Sequence, residues 1–244
     1  MTATAAVPRP ATVAGRRIDA VEHPGDPSRR PMVLLHEGLG SVGLWRGFPA
    51  ALSGATGRRV LAFSRFGHGR SEPPPEPRTP AFFHEEALDV LPTLLPQLDA
   101  AGPIFVGHSD GASIALIHAA HHAVTGLVLL APHVVVEAIT TDAIRDTRRA
   151  FLEDGLRDRM ARHHEDPDAA AGERRERVLV GDVVSHVERH DVVFVEPERL
   201  EQVQHGLALV PLDVRLDLVD HLAGRELELV GVVGEHAIDD RLDD

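Results

Sequence analysis

Apolar and polar residues alternate along the first half of the chain in blocks that indicate strands separated by helices. Extended apolar stretches bounded by turn residues predict β-strands within residues 16–23, 31–37, 58–67, 103–109 and 125–132. Within two of these stretches the runs MVLL and LVLL are apolar on both faces, as in strands buried between two helical layers.

The segment between the third and fourth stretches has a helical pattern. Thr79 is a suitable N-cap, Pro80 suits the first helical position, and apolar residues follow at helical spacing. These residues are Phe83, Ala87, Val90, Leu91, Leu94 and Leu98. We expect Pro92 and Pro96 to kink the helix. The alternation of strands and helices predicts an α/β fold with a mostly parallel sheet flanked by helices.

A second helical pattern, from about Val136 to Arg162, is amphipathic and rich in charged residues. We interpret it as a cap or an inserted helical layer. The sequence therefore divides into a flexible N-terminus (1–14), an α/β core (15–135), a helical cap-like segment (136–170) and an atypical C-terminal segment (171–244).

Composition argues against several classes of function. The 244 residues suit one domain, or one domain carrying an insertion. The net charge of −13 without a basic block disfavours nucleic acid or an anionic membrane as a partner. The absence of cysteine excludes disulfides and a thiol nucleophile. Apolar runs are too short to span a bilayer, so we expect a soluble cytoplasmic protein that acts on a small molecule. The oligomeric state is left open.

The sequence Gly107-His108-Ser109-Asp110-Gly111 lies between a predicted strand and a helix-compatible stretch. A sharp turn from strand to helix strains the central residue and exposes its hydroxyl, and the flanking glycines leave room for neighbouring elements. The following helix N-terminus directs amide groups towards the serine, which makes the amide of Asp110 a candidate oxyanion donor. The alternative is that Ser109 is an ordinary polar residue in a glycine-rich turn.

Two further glycine-rich turns follow predicted strands. Residues 36–41 (HEGLGS) form a loop in which the amide of Gly38 or Leu39 is a candidate second oxyanion donor. Residues 67–71 (GHGRS) form a tight turn before a proline-rich loop.

Together with the serine motif, these turns resemble the α/β-hydrolase superfamily, in particular its esterase-like serine hydrolases, over residues 15–170. The resemblance implies Ser109 as the nucleophile and the backbone amides of Gly38 and Asp110 as oxyanion donors. It also implies that the cap-like segment covers the pocket and that no metal or organic cofactor is needed. Glu37 departs from the family pattern, which usually has glycine after the histidine of this loop.

Residues 38–43 (GLGSVG) also match the G-x-G-x-x-G fingerprint of a dinucleotide-binding unit. Such a unit needs a regular helix next, whereas Gly47 and Pro49 interrupt the following residues. The next strand ends in Ser64-Arg65 rather than in an acidic residue. Because Arg65 would suit the phosphate of NADP, an NADP-binding Rossmann-type module stays as an alternative.

A serine hydroxyl needs a histidine base and a carboxylate that orients this histidine, and the resembled family has the chain order Ser, acid, His. His236 is the candidate base. Its candidate partners are Asp213, Asp217 and Asp220. The Gly-Glu pair at 234–235 also imitates the acid turn of the family, and in that case the histidine turn is missing. A catalytically impaired hydrolase-like protein is therefore a second alternative.

The other histidines are weaker candidates. The adjacent pairs at 121–122 and 163–164 point to different faces of a helix, so we expect solvated positions rather than metal ligands. We expect His118 to be a surface or packing residue.

The segment 171–244 contains a single aromatic residue, Phe194, and is dense in Val, Leu, Arg, Glu, Asp and His. This composition is typical of GC-rich DNA translated out of frame. A frame shift near Ala170 is one hypothesis for the change, and it would also account for the missing Gly-His turn.

Overall fold

A computed structural model of the chain describes residues 5–132, 138–172 and 191–195. Its strands are β1 Val7–Pro8, β2 Ala11–Val13, β3 Arg16–Ile18, β4 Ala20–His23, β5 Met32–Leu35, β6 Val60–Phe63, β7 Ile104–His108, β8 Gly126–Leu130 and β9 Asp191–Val195. Its α-helices are α1 Phe48–Thr56, α2 Phe82–Glu85, α3 Leu91–Gln97, α4 Asp110–His121, α5 Ala138–Glu153, α6 Leu156–Met160 and α7 Pro167–Ala171. A 3₁₀ turn covers Val42–Trp45, and a π-turn, Glu86–Val90, joins α2 to α3.

Seven of these strands form one sheet in the order β1-β4-β6-β5-β7-β8-β9. Pairing is parallel from β6 through β9, and β4 and β1 add an antiparallel edge. This arrangement confirms the predicted α/β fold with a mostly parallel sheet. Leu35 at the end of β5 is opposite Gly107 in β7, so the loop after β5 and the serine motif leave the same edge of the sheet side by side.

The central strands are buried on both faces. One face packs against α3 and α4, and the other packs against α1 and Trp45. The strand residues of the first face are Val33, Leu35, Leu61, Phe63, Phe105, Leu127 and Leu129. Those of the second face are Met32, Leu34, Val60, Ala62, Ile104, Val106, Val128 and Leu130. Each large aliphatic side chain contributes about 1.5–3 kcal/mol when buried, which explains why the predicted strands have no polar face.

The helix predicted to follow Thr79 begins later than expected. The Oγ1 of Thr79 accepts the amide N–H of Ala81 at 3.1 Å, and the helix starts at Phe82. The π-turn ends just before α3, in which Pro92 is the second residue. Proline cannot donate a hydrogen bond to the carbonyl four residues earlier, and we attribute the wider turn to this missing donor.

The cap-like segment is helical in α5, α6 and α7. Met160 and Ala170 are buried. The amide of Glu165, between α6 and α7, donates to the carbonyl of Gly69 at 2.8 Å, so this part of the segment contacts the turn after β6. None of the helices described is both long and apolar enough to cross a membrane. The described element that follows α7 is β9, which adds a parallel strand next to β8.

Candidate active site

Ser109 lies at a sharp corner between β7 and α4. Its φ of 53° and ψ of −115° fall in a region that L side chains rarely adopt, at a cost of about 1–3 kcal/mol. Its amide donates to the carbonyl of Leu130 at 2.8 Å. Its own carbonyl accepts the amides of Ala112 (3.0 Å) and Ser113 (3.2 Å), which begin the helix. The strand, strained corner and helix predicted for this motif are therefore present.

Close backbone contacts require both glycines of the motif. A Cβ atom at Gly107 would lie 2.5 Å from the Cα of Ala112, and a Cβ at Gly111 would lie 2.1 Å from the carbonyl oxygen of Leu35. No side chain fits at these distances, so only glycine allows α4 to approach both β7 and the end of β5. The serine motif consequently lies directly beside the loop that follows β5.

The carbonyl of Glu37 anchors that loop. It accepts hydrogen bonds from the Nδ1 of His36 (2.7 Å), the Nη2 of Arg65 (2.9 Å) and the amide of Gly40 (3.0 Å). The Nε2 of His36 accepts the amide N–H of Arg65 at 3.0 Å, so the single proton of the neutral ring lies on Nδ1.

The carboxylate of Glu37 folds back on its own loop, where its Oε2 accepts the amide N–H of Leu39 at 2.7 Å. Burial raises the pKa of Glu37, whereas the guanidinium of Arg65 lowers it and the charge of Asp110 raises it further. Because Glu37 engages the amide of Leu39, the amide of Gly38 is the better oxyanion candidate of this loop.

Arg65 is buried beside the serine motif rather than exposed to a nucleotide. Its side chain is 2% exposed, and its Nη2 lies 3.8 Å from the Oδ2 of Asp110. The glycine-rich run 38–43 continues into a 3₁₀ turn, not into the regular helix of a dinucleotide site. Both observations argue against the NADP-binding alternative.

Three buried histidines lie around the turn after β6. The ring of His68 lies between those of His36 (centroids 4.9 Å apart) and His164 (5.7 Å). Burial lowers the pKa of all three, so they are neutral at pH 7. In His164, Nδ1 accepts the amide of Gly69 and Nε2 donates to the carbonyl of Leu39, both at 3.0 Å. His164 thereby joins the cap-like segment to both glycine-rich turns.

The prediction that the pair at 163–164 is solvated is wrong for His164, which is 4% exposed. His118 is a packing residue, one of the two roles expected for it: its Nδ1 lies 2.7 Å from the carbonyl oxygen of Ala87, and its ring meets Phe105 edge-on. Among the residues that the structure describes, no group of three or more potential ligands could hold a metal ion.

The candidate base His236 lies outside the described residues, as do Asp213, Asp217, Asp220 and the Gly-Glu pair at 234–235. Their roles stay predictions. The structure therefore places the nucleophile candidate Ser109 at the start of α4, beside the loop after β5 that carries Gly38. The candidate base and acid rest on the sequence alone.

The sheet order, the strained serine corner and the adjacent glycine-rich loop together define the α/β-hydrolase class. The sequence model described as "alpha/beta hydrolase fold" matches residues 30–176, more than half of the chain. The chain belongs to this family.

Two curated relatives are sn-1-specific diacylglycerol lipases named ABHD11. The mouse protein is 32% identical over 118 residues, which cover 48% of this chain and 34% of the relative. The Danio rerio protein is 29% identical over 157 residues, which cover 57% and 47%. The chain thus spans about a third to a half of the length of these relatives.

A solved structure with a similar fold is the haloalkane dehalogenase DatA from Agrobacterium tumefaciens C58. The TM-score is 0.61 with 18% sequence identity, over 92% of this chain and 87% of the dehalogenase. At this identity the likeness concerns the fold alone.

Proposed function

We propose that this protein is a serine hydrolase that cleaves an ester or another activated carbonyl through an acyl-enzyme on Ser109. The observation that carries the proposal is the strained corner at Ser109, at the N-terminus of α4 and beside the loop after β5. Such a corner presents the serine hydroxyl at the carboxyl edge of the sheet, near the amide groups of α4 and of the loop after β5. Strained backbone conformations cluster at functional sites, and Ser109 adopts one at the start of α4.

The proposed reaction has two steps. The Oγ of Ser109 attacks the carbonyl carbon while a histidine, His236 in our prediction, takes the hydroxyl proton. The amides of Gly38 and Asp110 stabilise the resulting oxyanion, and its collapse expels the alcohol, which receives the proton from the histidine. Water then attacks the acyl-enzyme in the same way and releases the carboxylic acid and the free serine.

The substrate class we favour is a carboxylic ester. The two curated relatives are named as diacylglycerol lipases, and lipases of that kind cleave ester bonds. Partial coverage of the relatives limits this support to the type of bond.

Labelling with a fluorophosphonate probe, together with hydrolysis of p-nitrophenyl butyrate, tests the proposal. We expect the wild type to be labelled at Ser109, and Ser109→Ala to lose the label and about 10⁴-fold or more of the esterase rate. Ser53→Ala is the matched control, because this serine lies in α1 and bonds to the carbonyl of Pro24, and both signals should be kept. A folded wild type that takes no label and hydrolyses no ester would favour the hydrolase-like protein without a base.

A further inference from the structure

Arg65 is a buried cation that the proposed reaction does not use. It directly follows Ser64 after β6, and its side chain is 2% exposed. In the part of the chain that the structure describes, its Nε atom has no hydrogen-bond partner. A buried charge is costly unless its surroundings compensate it, so the partners of the remaining guanidinium nitrogens should show why Arg65 is buried here.

One contact of Arg65 fixes a peptide plane in the loop after β5. Its Nη2 donates to the carbonyl of Glu37 at 2.9 Å, and this carbonyl also accepts from His36 and Gly40. The C=O and N–H of a trans peptide point in opposite directions. Holding the carbonyl of Glu37 towards Arg65 therefore holds the N–H of Gly38, in the same peptide, away from Arg65.

The same nitrogen also reaches the other side of the site. The Nη2 of Arg65 lies 3.8 Å from the Oδ2 of Asp110, whose side chain is 5% exposed. Asp110 is the first residue of α4, and its amide is the other candidate oxyanion donor. An ion pair between two such buried side chains resists separation, because breaking it would leave a buried charge unpaired.

We propose that Arg65 is a positioning residue for the oxyanion site. By binding the backbone carbonyl of Glu37 and the carboxylate of Asp110, it fixes the separation and the relative orientation of the amides of Gly38 and Asp110. This role rests on the serine hydrolase function proposed above. In this proposal Arg65 acts through Glu37 and Asp110, the two residues that its Nη2 approaches.

The test compares Arg65→Met and Arg65→Lys with the wild type in two assays. One is steady-state hydrolysis of p-nitrophenyl butyrate, and the other is inhibition by a trifluoromethyl ketone, whose adduct with serine carries an oxyanion. Displacing oxyanion donors by about 1 Å has an effect of roughly 100-fold. We expect Arg65→Met to lower kcat about 100-fold with KM changed less than about threefold, and to raise the Ki of the ketone by the same factor as kcat falls.

Arg65→Lys keeps one cationic nitrogen near both partners without the planar fork of arginine. We expect it to recover part of the loss, with kcat roughly tenfold below the wild type and a matching rise in Ki. If Arg65→Met fails to fold, the lysine variant alone decides the matter, since wild-type kcat and Ki in folded Arg65→Lys would overturn the role.

Arg59→Met is the matched control. Arg59 also binds a carboxylate, that of Glu22 at 2.7 Å, and two backbone carbonyls, those of Leu98 (3.1 Å) and Asp99 (3.0 Å). It lies at the amino end of β6, so Arg59→Met should lower Tm without changing kcat or Ki. If folded Arg65→Met behaves in the same way, Arg65 is merely structural. If the folded wild type shows neither probe labelling nor esterase activity, the serine hydrolase function itself is overturned, and the positioning role of Arg65 with it.

Discussion

Replacing Gly111 by alanine tests the close approach of α4 to the loop after β5. The new Cβ would lie 2.1 Å from the carbonyl oxygen of Leu35, 2.5 Å from its carbonyl carbon and 2.8 Å from the carbonyl oxygen of His36. All three atoms belong to the backbone, so no side-chain rotation relieves the overlap. Restoring ordinary contact distances requires the start of α4 and the end of β5 to separate by roughly 1 Å.

Two opposing effects set the size of the change in stability. Overpacking at a buried position costs about 1–3 kcal/mol, and alanine offsets up to about 1 kcal/mol because it favours the helix more than glycine does. We expect Gly111→Ala to lower the free energy of unfolding by about 1–2 kcal/mol. The same displacement moves Asp110 away from the loop that carries Gly38, so we expect ester hydrolysis to fall about 100-fold.

Urea unfolding measures the stability of this variant, and p-nitrophenyl butyrate hydrolysis measures its activity. Gly25→Ala is the matched control, since its Cβ would lie 2.2 Å from the carbonyl carbon of Arg58, at the amino end of the parallel strands and at the opposite edge from Ser109. It should lose stability and keep its activity. Gly54→Ala lies in α1, where the new Cβ would meet no atom within 4 Å apart from its chain neighbours and the backbone of its own helix, so this variant should gain up to about 1 kcal/mol. Wild-type activity in folded Gly111→Ala would refute the reasoning.

Two further predictions concern stability as a function of pH. Burial lowers the pKa of His118 to about 4, below the 6.5 of the unfolded chain. The contribution of His118 to the free energy of unfolding should therefore fall by about 3 kcal/mol as the pH drops from 6.5 to 4. His118→Asn keeps an N–H donor for the carbonyl of Ala87 and should flatten this decline in urea unfolding, whereas parallel pH profiles would contradict the assignment. The hydrogen bond from Arg59 lowers the pKa of Glu22 below its usual 4.5. The ionised carboxylate of Glu22 therefore stabilises the fold above that pH, and this stabilisation is lost as the pH falls. Glu22→Gln should cost about 1–3 kcal/mol at pH 7 and less at pH 3, and an equal cost at both would exclude this pairing as the cause.

The strands and the serine corner could be predicted from sequence because their causes are local. The run MVLL has no polar position, so it suits a strand that is buried on both faces. It forms β5, whose side chains alternate between the hydrophobic clusters on the two faces of the sheet. The two glycines around Ser109 have the spacing that a strand-to-helix corner needs, and each of them makes a contact that only glycine tolerates.

The side chains that hold the oxyanion loop had no comparable signal. Arg65 bonds to Glu37, 28 residues away, and His164 bonds to Gly69 and Leu39, 95 and 125 residues away. Nothing in the local pattern around position 164 distinguishes a buried histidine from a solvated one. Such partners become visible only when the topology brings the cap-like segment and the glycine-rich turns together.

These two kinds of contact have different physical roles in the site. The local motif creates the strain at Ser109, about 1–3 kcal/mol, and strain of that size persists only where the surroundings hold it. The hydrogen bond to Leu130 in β8 supplies part of this support for Ser109. The loop after β5 is held by Arg65, from the turn after β6, and by His164 of the cap-like segment. A sequence can therefore keep the whole G-x-S-x-G pattern and still lose the oxyanion geometry, because the pattern does not encode the contacts that stabilise it.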